Sequence, residues 1–335
     1  MLILALLAAV QAAPALTDVK AFGDWAVACD NLRRCEAAAL LASEDADGAP
    51  PIAVVREAGP TGALSVTVAP DGDYKGAYRL EVDGKSLASG NLGGAEVSVT
   101  GAAAAQLVDA MLKGQSMRLI GADGKLLSQA SLKGIAATLR YFDAEQGRAG
   151  GVTALVAKGP KPADTVPGAP ATPQVRFVRP SGAAAPLSAA LRGAMGKQSD
   201  CDSAYGEGEG ERPETETYPL GGGKTLALVP CGSGAYNFST VPFVVEGGKA
   251  VVAHFDHASG WTEAEGVATL VNADWDPAKG TLSSYTKARG LGDCGNSESY
   301  VWDGAMFRLV EARGMGECRG STNWLRMWKA EAVAR

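Results

Sequence analysis

KTLALVPCGSGAYNFSTVPFVVEGGKAVVAHF, residues 224–255, decides the fold class. Three apolar runs, at 224–231, 235–245 and 249–255, are separated by glycine-rich punctuation. Branched and aromatic residues suit a pleated, half-buried surface. Gly247-Gly248 leaves room only for a hairpin turn with positive φ at both centres, and strands joined so tightly run antiparallel. GVATLVNA (266–273) and YVWDGAMFRLV (300–310) continue the pattern, the latter with a second hairpin signal at Asp303-Gly304. The segment predicts an antiparallel meander curling into a sandwich or barrel-like body. A helix over Leu187–Met195 precedes it. Five of the six Trp (Trp261, Trp275, Trp302, Trp324, Trp328) fall in this half, where large aromatics suit a small, Gly-rich core.

Upstream lies GPKPADTVPGAPATP, residues 159–173, with five prolines and little apolar bulk. It reads as an interdomain linker of polyproline-like character. It divides the chain into residues 18–158 and 174–335, two domains for 335 residues. In the first, 64–68 and 97–100 alternate apolar with Ser or Thr, the period of a sheet with one buried face. Asp83-Gly84 and Asp123-Gly124 mark hairpins inside two similar segments, 79–92 and 118–132. Two short helices interrupt the strands. One carries Ala104, Leu107, Val108 and Met111 on one face and stops at Gly114. The other takes Ser131 as N-cap and aligns Leu132, Ile135, Ala136, Leu139 and Phe142. The expected class is therefore α+β, mainly antiparallel β, in two sandwich-like bodies with one or two helices each.

Six cysteines are present: Cys29, Cys35, Cys201, Cys231, Cys294 and Cys318. An even count without Cys-x-x-Cys favours a disulfide framework of an exported chain over a zinc ribbon or redox site. Proximity and the domain division favour Cys29–Cys35, Cys201–Cys231 and Cys294–Cys318 among fifteen possible pairings. Leu2–Val10 is apolar but too short to span a bilayer, and Val10-Gln11-Ala12 has signal-peptidase character. Cleavage after Ala12 is expected, although no Lys or Arg precedes Lys20. No later run is long and apolar enough for a transmembrane segment, and a net charge of −6 gives no basic face for nucleic acid or an anionic membrane.

FGDWAVACDNLRRCEA (22–37), EQGRAGGVTALVAKG (145–159), CGSGAYN (231–237) and ARGLGDCGNSESYVWDGAMFRL (288–309) resemble a bacterial family catalogued as domain of unknown function 1176. The resemblance covers nearly all of the mature chain. It implies an exported, envelope-associated protein and brings no established activity. The first half also resembles, to a lesser degree, the invasion-associated locus B family of periplasmic proteins. Phe22-Gly23-Asp24-Trp25, LVDAMLKGQ (107–115) and SLKGIAATL (131–139) carry that likeness.

Chemistry-bearing residues are few. The only histidines, His254 and His257, flank Asp256 as a base-and-orienter couple or half a metal site would. No third ligand accompanies them, and a strand end with two satisfied or exposed imidazoles explains them equally. Cys294 in GDCG is read as a disulfide half in a tight turn rather than a nucleophile. Ser233 lacks the spacing of a nucleophile elbow. EGEGERPETETYP (207–219) and PDGDYKG (70–76) lack calcium-loop offsets, and Gly221–Gly223 lacks a phosphate loop's spacing, so no cofactor is expected. The expectation is a non-enzymatic binding module of the envelope with a protein or glycan partner, anchored by Arg289 or Trp302. The alternative is a hydrolase using His254, Asp256 and His257.

Overall fold

The computed structural model describes residues 13–43, 52–205, 212–258 and 267–335. The expected leader at 1–12, Trp261 and residues 207–211 of the acidic stretch lie outside the described residues.

The first half runs β1 (Lys20–Phe22), β2 (Trp25–Cys29), β3 (Cys35–Ala39), β4 (Ile52–Arg56), β5 (Leu64–Val68), β6 (Gly76–Val82), β7 (Lys85–Leu92), β8 (Val97–Thr100), α1 (Gly101–Met111), β9 (Ser116–Gly121), β10 (Leu126–Ser131) and α2 (Ile135–Glu145). One antiparallel sheet has the order β1-β2-β3-β4-β5-β8 and the other β10-β9-β6-β7. The two similar Asp-Gly segments are neighbours in the second sheet, joined through β6 and β9. Both sheets and both helices share a core that includes Trp25, Val54, Leu80, Leu107, Leu119 and Phe142.

Strands β2 and β3 are buried on both faces. Trp25, Val27 and Cys29 point to that core, while Ala26, Ala28 and Ala38 point away into a second apolar cluster. Helix α2 starts four residues after the expected cap. Ser131 ends β10, paired with Ser116, and Gly134 is the N-cap with φ +96°. A Cβ at Gly134 would lie 1.9 Å from the Phe22 carbonyl oxygen, so only glycine lets α2 meet β1 there. The proline-rich stretch 159–173 lacks strands, yet it is docked on the first half. Val166 is buried, Lys161 N–H donates to Gly150, and Pro167 lies against Gly147.

The second half runs β11 (Gln174–Phe177), α3 (Ala189–Ser199), β12 (Glu216–Gly221), β13 (Lys224–Ser233), β14 (Phe238–Glu246), β15 (Lys249–Val252), β16 (Leu270–Val271), β17 (Asp274–Asp276), β18 (Thr281–Lys287), β19 (Gly295–Trp302), β20 (Phe307–Met315), β21 (Leu325–Lys329) and β22 (Glu331–Ala334). One sheet is β12-β13-β14-β15 with β16 on β14, and the other is β17-β18-β19-β20-β21. They enclose Leu226, Leu228, Val244, Leu282, Tyr300, Trp302 and Phe307. The last strand, β22, returns to pair in parallel with the first, β11. Of the expected strand at 266–273, residue 266 lies outside the described residues and the rest is strand only at β16, which ends where Asn272 turns the chain at φ +46°. Among the described residues the named strands pair antiparallel apart from β11–β22, and the fold is a β-rich α+β fold.

The halves meet along a seam. Ala26, Ala28, Ala38 and Leu40 pack on Met315, Trp324, Leu325 and the Cys294–Cys318 sulfurs. Arg319 donates to the Leu41 and Gly23 carbonyls (2.7 and 2.8 Å) and to Asp24 Oδ1 (2.6 Å). Arg326 reaches Asp30 Oδ2 at 2.6 Å, and Asn31 exchanges two hydrogen bonds with the Lys329 backbone. Alanines on this face let the strands approach closely, and the arginines satisfy groups that burial would otherwise leave unpaired.

Candidate functional site

Past β15 the chain lies against β20. The His254 carbonyl accepts from Phe307 N–H (2.8 Å), and Asp256 N–H donates to the Phe307 carbonyl (3.1 Å). Asp256 Oδ1 accepts from Leu309 N–H at 2.8 Å, so this carboxylate is committed to holding the segment down. Burial pushes the Asp256 carboxyl above its usual range, against the Leu309 N–H, Arg308 and His257. Burial likewise holds His257 below its usual value, with Asp256 opposing. His254 is exposed and lines a separate cleft of about 260 Å³ with Trp302 and Ala305. Among the described residues neither imidazole is hydrogen-bonded to Asp256, so no base-and-orienter couple is formed, and no His/Cys/Asp/Glu cluster is placed to hold a metal.

Trp302 cannot anchor a partner from this position, because it is 3% exposed. Strand periodicity explains this: Tyr300 and Trp302 alternate inward on β19, and Trp302 packs on Phe307 at 5.1 Å between centroids. Arg289 grips Asp293 with Nε–Oδ1 2.8 Å and Nη2–Oδ2 2.5 Å. Hydrogen bonds from Arg289 hold the Asp293 carboxyl below the usual range, with burial opposing and the Gly320 N–H assisting. Cys294 is disulfide-bonded to Cys318, and the other bridges are Cys29–Cys35 and Cys201–Cys231.

What the 288–294 turn does present is apolar. Six large apolar side chains are exposed among the described residues; one of them, Leu291, is on this turn, and two more, Tyr236 from the β13–β14 loop and Tyr285 from β18, lie against its glycines. Leu291, at its tip, is 73% exposed. The Tyr236 ring lies against Gly290, and its hydroxyl donates to the Ala288 carbonyl at 3.3 Å. Tyr285 flanks Gly292 and stacks on Trp324 with centroids 4.6 Å apart at 13°. Beneath the knob, Trp324 Nε1 donates to the Gly292 carbonyl (3.2 Å) and Gly320 N–H to Asp293 Oδ2 (2.7 Å). Asn237 bridges to the Lys287 backbone in both directions, and Asn272 Nδ2 donates to the Tyr236 and Tyr285 carbonyls. The knob is thus fixed from three sides.

On the other side of the 318–324 loop, a groove of about 460 Å³ opens between the halves. Glu36 lies in it with its carboxylate already held by Arg34 (2.6 Å) and Asn323 (2.9 Å). Arg34 and Glu36 at its floor are engaged with each other, which leaves the knob as the better candidate surface.

A family described as "Protein of unknown function (DUF1176)" matches residues 19–331. The chain belongs to this family. It is also similar to the uncharacterized protein YpfG of Escherichia coli (strain K12), 29% identical over 298 residues, covering 80% of this chain and 78% of that protein. Invasion associated protein B of Bartonella henselae aligns with 39% of this chain and 99% of its own at 20% identity, with a TM-score of 0.30.

The segments carrying the family resemblance have structural occupations. Residues 22–37 form the seam face. In 145–159, Gln146 Nε2 donates to the Arg33 and Arg56 carbonyls (2.8 and 2.9 Å) and Arg148 to Gly59 (2.5 Å), latching the end of α2 to the first sheet. Residues 231–237 and 288–309 build and support the knob. Sequence reasoning singled out Arg289 of this turn and did not single out Tyr236, Tyr285 or Leu291. A single leucine between two glycines has no periodicity to betray it.

Proposed function

We propose that this DUF1176 protein is an exported, non-enzymatic binding module of the cell envelope, two domains joined at the seam, that engages a protein partner through the Tyr236–Leu291–Tyr285 knob. The observation that carries the reading is the convergence of three exposed apolar side chains, from the 288–294 turn and the two segments beside it, around a turn held by a disulfide, a bidentate ion pair and a stacked tryptophan. Interface anchors are typically aromatic or apolar groups that pay little ordering entropy on binding. Tyrosines also stack on sugars, so a glycan is the competing occupant. Three disulfides support export. The test is crosslinking in the host envelope with wild-type protein and Leu291→Asp. A discrete protein adduct seen with wild type and lost with L291D, at unchanged melting temperature, is expected. Adducts identical in both proteins, or none in either, overturn the proposal.

A further inference from the structure

Chemistry that neither the seam nor the knob uses lies beneath the turn that follows β4. Arg148 is 1% exposed, and its partners are neutral: Gln146 Oε1 at 2.8 Å from Nε, with the Gly59 and Glu57 carbonyls at 2.5 and 3.4 Å from Nη2. Its Nη1 is buried with no hydrogen-bond partner among the described residues, and so are Arg56 Nε and Thr153 Oγ1. Arg56 ends β4 on the side of Ile52 and Val54, which face the core where α2 packs. A guanidinium has donors only and does not neutralise in a protein, so burial demands acceptors.

The carboxylate that acts on both arginines is Asp143, fully buried near the end of α2. Its oxygens, however, accept from the backbone N–H groups of Leu155 (2.8 Å), Val156 (2.8 Å) and Ala157 (2.9 Å), and it makes no ion pair with either arginine. Two guanidiniums therefore share one carboxylate whose oxygens are engaged elsewhere. Burial lowers Arg148 to about 10, with Arg56 adding to the effect and Asp143 opposing; both side chains stay charged at neutral pH.

We propose that Arg56, Arg148 and Thr153 form a closed binding site for one small inorganic anion of chloride size. The unpartnered donor atoms each expose less than 1 Å² to solvent, so the occupant is enclosed and small. A water molecule would accept from the donors but leave the excess positive charge; an anion satisfies both.

The probe is chloride against gluconate at constant ionic strength, with bromide as the crystallographic marker. Protein crystallised in sodium bromide is expected to show an anomalous peak between Arg56 Nε and Arg148 Nη1. In solution, a tenfold rise in chloride above its dissociation constant should raise the folding equilibrium constant about tenfold. Arg56→Met is expected to lose that dependence. Should the variant fail to fold, the bromide measurement on the wild-type chain decides alone. A water peak without bromide signal overturns the proposal, as does equal stability of wild type in chloride and gluconate.

Discussion

At the scale of single residues, charge placement governs how the protein responds to pH. Burial holds His257 below 6.5, so between its native value and 6.5 the unfolded chain binds the additional proton. Stability from this group is complete above about 6.5 and declines as pH falls through that window. His257→Gln should flatten the stability profile between about pH 7 and about pH 5, read from urea midpoints. Asp293 behaves as a carboxylate stabilised by Arg289: its contribution is present above the unfolded value of 3.8 and is lost as pH falls through its lower native value. Removing the charge with Asp293→Asn should cost about 2 kcal/mol near neutrality, the scale of a charge-assisted hydrogen bond, and less below about pH 3. Arg289 was legible in the sequence as a residue of interest, but its task was not. Only the structure shows that it points back to Asp293 and stiffens the turn. Trp302 was misread for a similar reason, since tryptophan was weighed by type and its inward place in the period of two was overlooked.

At the scale of elements, alternation was legible wherever a strand has one dry face. Leu64, Val66 and Val68 are buried between half-buried Ser65 and Thr67, and 64–68 is β5. Strands β2 and β3 gave no alternation because both faces are covered, by Trp25 and Val27 on one side and alanines on the other. Turn glycines separate into two kinds, and substitution should reveal which. Gly134 has φ +96° and a carbonyl 1.9 Å from any added Cβ, whereas Gly84 has φ +80° and nothing within 4 Å. Gly134→Ala should cost about 3 kcal/mol or more, and Gly84→Ala about 1 kcal/mol for the backbone alone. Denaturant midpoints of the two variants give the comparison. Equal losses would mean that the contact of α2 with β1 is looser than described. The helix start was missed because Ser131 offers good capping chemistry, yet pairing with Ser116 keeps it in β10.

At the scale of the whole molecule, the seam makes two halves behave as one. Its apolar part is built from alanines, and Ala28 is 1% exposed. Ala28→Leu adds bulk where β2 faces Trp324 and Leu325 and should cost about 1–3 kcal/mol by overpacking. Calorimetry should then resolve two unfolding transitions in the variant against one in wild type. Two transitions in the wild-type chain would contradict the coupling. Closing loops of 24 and 30 residues, Cys294–Cys318 and Cys201–Cys231 should each add about 3–4 kcal/mol by restricting the unfolded chain. The first of these also underlies the knob, so oxidation, rigidity and the proposed binding surface stand together. Intact-mass analysis of the protein isolated from its own host, with alkylation of free thiols, tests that dependence most directly. The prediction is a chain beginning after Ala12, lighter than its reduced form by the hydrogens of three disulfides and taking up no alkyl label. A chain retaining its first residues and alkylated at all six cysteines would contradict it.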